Sequence, residues 1–263
     1  FCATPPVMSD HPGPYHPPRD HGGGLDAALR RFVGARGDWL DLSTGINPVP
    51  YPVAAIPAAA WAELPDTAAQ AALADAARAF WAVPDGAAVL AAPGASALIA
   101  RIPALHRPGT VHIPAPTYNE HAAAFAAHGW RCTRETAAAA DAQVAVHPNN
   151  PTGAWTSPDA LTAPLCVIDE SFCDLAPGRS LVAQAARPGR IVLKSFGKFW
   201  GLAGLRLGFA IGDPDLVARL QEGLGPWPVS GPALHVGRAA LRDHDWATAT
   251  RARLAGDAAR LDA

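Results

Sequence analysis

An α/β fold, with a mostly parallel central sheet flanked by helices, is what this 263-residue sequence predicts. Three observations carry that expectation. Short apolar runs alternate with helical stretches from residue 87 to 212, the pattern of a sheet covered on both faces. Hydrophobic residues make up 49% of the chain, enough to bury one large core. The less common residues sit in loops that follow the apolar runs, where such sheets gather ligands.

The elements follow in order. Residues 1–20 are rich in proline and histidine and read as an irregular arm. Leu25, Ala28, Leu29 and Phe32 recur at helical spacing. An alanine-rich helix is expected over 66–81, although alanine signals propensity more than a buried face. Strands are expected at 87–92, 110–114, 142–147, 164–170, 190–195 and 205–212. Between them lie a helical stretch through Ile99 and Leu105 and a helix over 118–128. After Pro214 the pattern turns helical, and 225–232 reads as a hinge. The chain thus divides into an arm and substrate-side segment (1–48), a large domain (49–224) and the start of an incomplete smaller C-terminal domain (225–263).

Composition narrows the function. With 21 Lys plus Arg against 23 Asp plus Glu, and no block of like charges, nothing forms the basic stripe of a nucleic-acid binder. No apolar run approaches the roughly 20 residues that span a bilayer. Cys2, Cys132, Cys166 and Cys173 form no paired motif, which favours a reducing compartment. A signal-peptide pattern is missing from the first residues, so a cytoplasmic location is expected. The single methionine, Met8, is the expected natural start. His11, His16 and His21 are spaced by five, and His121 and His128 share a helix face, but without zinc-site company; no metal is expected. Trp200 and Trp227 read as packing or interface residues.

Five features carry chemistry. Pro93, Gly94, Ala95 and Ser96 follow a strand and open a helix, either an ordinary turn or an anion site. Arg206 offers a fork of donors suited to phosphate; Ser195 is a helix cap or a phosphate hydroxyl. Asp169 ends an apolar strand and needs a partner, either an arginine or a protonated ring nitrogen. Asn150, in "NNPTG", is a turn residue or a ligand to a ring oxygen. Tyr118 is core or a flat face for an aromatic ring. Only two of the 21 cations are lysines, Lys194 and Lys198, and a primary amine can do imine chemistry that a guanidinium cannot. Phosphate, ring nitrogen, ring oxygen, flat face and amine together describe pyridoxal 5′-phosphate.

The segments "HPNNPTG", "VIDESF" and "SFGKFWGLAGLRLG", in that order, resemble the motifs of the class I/II aminotransferases, the fold-type I pyridoxal-phosphate enzymes. That family's pattern is a serine, the Schiff-base lysine three residues on, and an arginine eight further. Ser195, Lys198 and Arg206 match it. The same spacing applied to Lys194 falls on Ile191 and Leu202, so Lys194 is the spare, a structural or phosphate-side charge. The resemblance further implies Asp169 on the ring nitrogen, Asn150 on the 3′-oxygen and Tyr118 stacked on the ring. Gly94, Ala95 and Ser96, with Ser195 and Arg206, would hold the phosphate. It also implies a cis Asn150–Pro151 bond and a homodimer. Many relatives carry a tyrosine where this chain has Phe172, so one donor to the 3′-oxygen is lost here.

The opening "HGGGLDAALRRFVGARGDWLDLSTGINPVPYP" (21–52) is similar to that of the threonine-phosphate decarboxylases of cobalamin synthesis. This implies a small phosphorylated amino acid as substrate: L-threonine O-3-phosphate, decarboxylated to (R)-1-amino-2-propanol O-2-phosphate. His21, Gly22 and Gly23 would lie near that substrate, and Gly45 and Asn47 on its carboxylate side. The alternatives are a histidinol-phosphate-type aminotransferase and a truncated chain that binds cofactor without turnover. Relatives carry a further small-domain segment with a substrate-gripping arginine after the point where this sequence stops.

Overall fold

The computed structural model describes residues 22–134 and 139–263, and the chain falls into two compact units, residues 1–45 and 46–263. The described part of the first unit holds helix α1 (Leu25–Arg31), which buries no residue, and a 3-10 turn, Arg36–Asp38. Its chain is tied by local bonds: the Gly23 N–H donates to Ser43 Oγ at 2.7 Å, and the Ala35 N–H to Asp38 Oδ2 at 2.9 Å.

The second unit is built on seven strands: β1 (Ala88–Ala92), β2 (Thr110–His112), β3 (Arg131–Thr133), β4 (Ala142–Val146), β5 (Leu165–Asp169), β6 (Arg190–Ser195) and β7 (Gly208–Gly212). They lie in the order β1-β7-β6-β5-β4-β2-β3. All pairings are parallel except those of β7, which runs against both β1 and β6. Every residue of β4, β5 and β7 is buried. Apolar side chains on both faces of these strands explain their continuous runs, since helices and loops cover each side.

Two corrections to the sequence reading follow from geometry. β3 was not foreseen: it is three residues long, mostly exposed and polar at the sheet edge. β7 starts at Gly208, not at 205, because Arg206 adopts a left-handed conformation (φ 52°) that reverses the chain first.

Four of the described α-helices carry a side-chain N-cap. In α3 (Thr67–Phe80) the Asp66 side chain accepts from the Ala69 N–H at 2.6 Å, and Leu73, Ala76 and Ala77 face inward. Short α2 (Ala58–Ala62) precedes it, and α4 (Ala95–Ile99) and α5 (Asn119–Ala127) follow β1 and β2. Asp213 caps α6 (Pro214–Leu224), whose Pro214 sits in the first turn where a missing N–H does no harm. Ser230 caps α7 (Gly231–Arg242) and Asp243 caps α8 (His244–Asp262). α7 packs on α3. One face of the sheet buries Leu73, Phe196, Trp200, Phe209, Leu234 and Leu241; the other buries Leu98, Phe125, Leu165, Leu193 and Leu220. No helix among the described residues is long and apolar enough to cross a membrane.

Candidate active site

The strands other than β7 all end at one edge of the sheet, and β7 begins there. Loops from that edge therefore converge. Gly94, Ala95, Ser96, Tyr118, Asn150, Asp169, Phe172, Ser195, Lys198 and Arg206 line a single cavity of about 170 Å³, together with Ile46, Ile99 and Ala203 among others. The ten candidates, from Gly94 to Arg206, lie as much as 112 positions apart in sequence, and the parallel topology brings them together.

At one end of the cavity α4 presents its first turn. Helix starts leave N–H groups without intrahelical partners, and Gly94 lets the chain enter with φ 85°. A Cβ at position 94 would stand 2.5 Å from Arg206 Nη2, so only glycine lets the guanidinium lie over this turn. Arg206 is itself braced, its Nη1 donating to the Ala203 carbonyl at 3.0 Å. The Gly197 N–H donates to Ser195 Oγ at 3.2 Å. Backbone donors, a hydroxyl and a fixed guanidinium form a cradle for a dianion.

Across the cavity lies Asp169, 2% exposed. Its Oδ2 is 2.8 Å from Nε2 of the buried His121, and its Oδ1 accepts from the Ser171 hydroxyl and N–H at 2.6 and 3.0 Å. Burial works to raise its pKa, but the His121 and Ser171 bonds outweigh it and hold the carboxyl below the ordinary range. Within the chain the partners of Asp169 are thus His121 and Ser171, and not the arginine weighed from sequence. His121 was read there merely as a residue sharing a face with His128, which is exposed and contacts the Ala124 carbonyl.

Lys198 reaches in from the loop after β6, its Nζ 5.2 Å from the Phe172 ring centroid. Burial pushes its pKa down, opposed by the charge of Asp169. A depressed ammonium pKa supplies the neutral amine that nucleophilic work requires. Tyr118 stands at the start of α5 without a capping side-chain bond, its ring edge-on to His121 with centroids 6.1 Å apart. The Asn150–Pro151 bond is cis, as are Ala115–Pro116 and His147–Pro148.

Other residues singled out from sequence lie elsewhere. Lys194 projects from the opposite face of β6, 1% exposed, with Nζ 2.6 Å from Glu170 Oε2; a phosphate-side role is thereby overturned. The Asn47 carboxamide is engaged by the chain itself, donating to the Phe199 carbonyl at 2.8 Å and accepting from Arg253 at 2.6 Å. Gly22, Gly23 and Gly45 belong to the first unit. His21, like His11 and His16, lies outside the described residues. Trp200 is fully buried and Trp227 half exposed. Among the described residues His147, Glu170 and Cys173 come close enough to share a cation. Both His147 nitrogens, however, are engaged, by the Arg179 carbonyl and the Thr156 N–H.

Residues 37–263 match the family model for aminotransferase class I and II. A threonine-phosphate decarboxylase of Pseudomonas aeruginosa is 41% identical over 264 residues, covering 92% of this chain and 77% of the relative. A histidinol-phosphate aminotransferase of Nitrosococcus oceani is 35% identical over 111 residues, 38% of this chain and 30% of the relative. Among solved structures, the histidinol-phosphate aminotransferase of Sinorhizobium meliloti in complex with pyridoxal-5′-phosphate superposes with a TM-score of 0.67 at 20% identity, over 92% of this chain and 66% of that one. The dianion cradle, the ionised buried carboxylate and the amine between them fit such a cofactor. The chain belongs to the aminotransferase class I and II family, and its cofactor is pyridoxal 5′-phosphate.

Proposed function

We propose that the chain decarboxylates L-threonine O-3-phosphate to (R)-1-amino-2-propanol O-2-phosphate, as a cytoplasmic homodimer in cobalamin synthesis, with Lys198 carrying the cofactor. The observation that carries this reading is similarity over 92% of the chain to a threonine-phosphate decarboxylase. The histidinol-phosphate aminotransferase likeness spans 38%.

When bound, pyridoxal phosphate supplies an aldehyde that bonds amines and a ring that draws in electrons released at the substrate α-carbon. The chain's residues do the rest. Arg206, Ser195 and the first turn of α4 hold the phosphate. Asp169, kept ionised by His121 and Ser171, would favour a protonated ring nitrogen. Tyr118 offers a flat face, and Asn150 a donor to the ring oxygen. Lys198 would hold the cofactor through its Nζ and, as a free amine, would be placed to carry a proton to the substrate α-carbon. His21, Gly22, Gly23, Gly45 and Asn47 are assigned to the substrate side on the resemblance of 21–52 alone, Asn47 acting through its position on the Lys198–Phe199 backbone.

The rival reading is a histidinol-phosphate-type aminotransferase, whose cofactor residues would be the same. The α-carbon bond set perpendicular to the ring decides between the two reactions, and that is a matter of positioning. Incubation with threonine phosphate separates them. CO2 release without 2-oxoglutarate supports decarboxylation; amino transfer that requires the oxo acid overturns it. Cofactor binding with neither product supports a chain that binds without turning over.

A further inference from the structure

Lys194 is the other lysine of the chain, and no step above uses it. It lies on β6 between Leu193 and Ser195, whose side chains point to the cofactor face; alternation along a strand sends Lys194 to the opposite one. Glu170 stands in the same relation to Asp169 on neighbouring β5. On that far face Lys194 Nζ lies 2.6 Å from Glu170 Oε2 and 3.5 Å from Asp174 Oδ1. Glu170 also accepts from Ser180 Oγ at 2.7 Å and from the Leu181 N–H. Asp174 accepts the indole N–H groups of Trp81 at 2.8 Å and Trp200 at 3.1 Å. From α8, Arg251 Nε donates to the Asp174 carbonyl at 2.7 Å. One ammonium thus meets two carboxylates beneath the sheet, while the Arg251 guanidinium sits on the Asp174 backbone and feels its charge without pairing with the carboxylate.

This arrangement brackets the site. Lys194, four residues before Lys198, and Trp200, two residues after it, both contact the carboxylate of Asp174. Glu170, the residue after Asp169, is held by the same Lys194. The strand ends that present Asp169 and Lys198 are therefore fastened to each other from behind. We propose that Lys194 is a positioning residue: its bonds to Glu170 and Asp174 fix the distance between the ring-nitrogen carboxylate Asp169 and the cofactor-bearing Lys198.

A buried ion pair brings little net stability compared with apolar side chains of the same size, so holding the sheet together does not require one. Directional charges add a fixed separation that apolar packing tolerates losing. Burial would lower the Lys194 pKa, but Asp174 and Glu170 raise it on balance, so the ammonium stays charged.

The inference rests on the reading that Lys198 carries the cofactor, and the test begins there. Hydride reduction and peptide mapping of the wild-type protein must place pyridoxal phosphate on Lys198; a different nitrogen sinks both readings at once. Lys194→Met leaves two buried carboxylates without their ammonium, whereas Lys194→Met/Glu170→Gln leaves only Asp174, whose charge the nearby Arg251 still offsets. In the double variant, folding checked by apo-protein melting, positioning predicts cofactor still on Lys198. It also predicts that the visible-absorbance titration shifts by about half a pH unit or more. Turnover should fall roughly tenfold or more, with KM nearly unchanged. A lower melting temperature with wild-type titration and kcat would assign the cluster to stability alone and overturn the proposal. Failure of both variants to fold would do the same.

Discussion

His121 Nε2 and Asp169 Oδ2 stand 2.8 Å apart, both buried, joining α5 to the end of β5 across 48 residues of sequence. This bond orients the carboxylate that faces the cavity. Removing a partner from a buried charged group costs about 1–3 kcal/mol. His121→Ala should therefore lower the unfolding free energy of the apo protein by about that much, read by urea denaturation. An unchanged midpoint would mean that Asp169 is held by Ser171 alone.

Acid stability follows from the same carboxylate. Its folded pKa lies below the ordinary value of 3.8, so between the two values the unfolded chain binds a proton that the folded one does not. The contribution is intact above the ordinary value and is lost as pH falls through the folded one. Melting temperatures of the apo protein from neutral to strongly acid pH should drop more shallowly in Asp169→Asn than in wild type.

Lys198 titrates in the other sense. Burial lowers its pKa from 10.5, with Asp169 opposing, so the neutral amine is available at lower pH than in a free lysine. The rate at which apo protein takes up pyridoxal phosphate should rise with pH and level off below 10.5. Asp169→Asn should move that inflection further down. Stopped-flow absorbance reads both.

Gly94 makes a sharper demand than its neighbours. Its φ of 85° with ψ of 155° is a region that costs a residue with a side chain about 1–3 kcal/mol, and a Cβ there would displace the Arg206 guanidinium. Gly94→Ala should weaken cofactor binding about tenfold or more. Gly204→Ala, where a Cβ meets nothing within 4 Å, should leave it unchanged. Cofactor titration of the two variants checks this.

Phe172 lies beneath Lys198 Nζ, at the position where the family resemblance implies a tyrosine. Supplying the missing hydroxyl in Phe172→Tyr should shift the pH midpoint of the visible absorbance. An identical titration curve would count against the assignment of Phe172 to the ring-oxygen side.

Much of this was legible in the sequence. The run 190–195 gave β6 at its observed bounds because an apolar strand covered on both faces is a continuous local signal. Each of the ten cofactor candidates stood beside such a run. What escaped was non-local. His121 lies three residues after Tyr118 on α5, a buried polar position, but nothing local shows that its partner is Asp169. The role of Lys194 was half visible, since alternation along β6 opposes it to Ser195. Its partner Glu170 needed the β5–β6 register, in which Asp169 pairs with Leu193. β3 escaped because three exposed edge residues have too little burial to pattern.

The most direct test is covalent. Purified protein reconstituted with pyridoxal phosphate, reduced with borohydride and digested should yield one modified peptide, tagged at Lys198 and not at Lys194. A colourless protein, or a tag on any other nitrogen, would contradict the assignment on which the site rests.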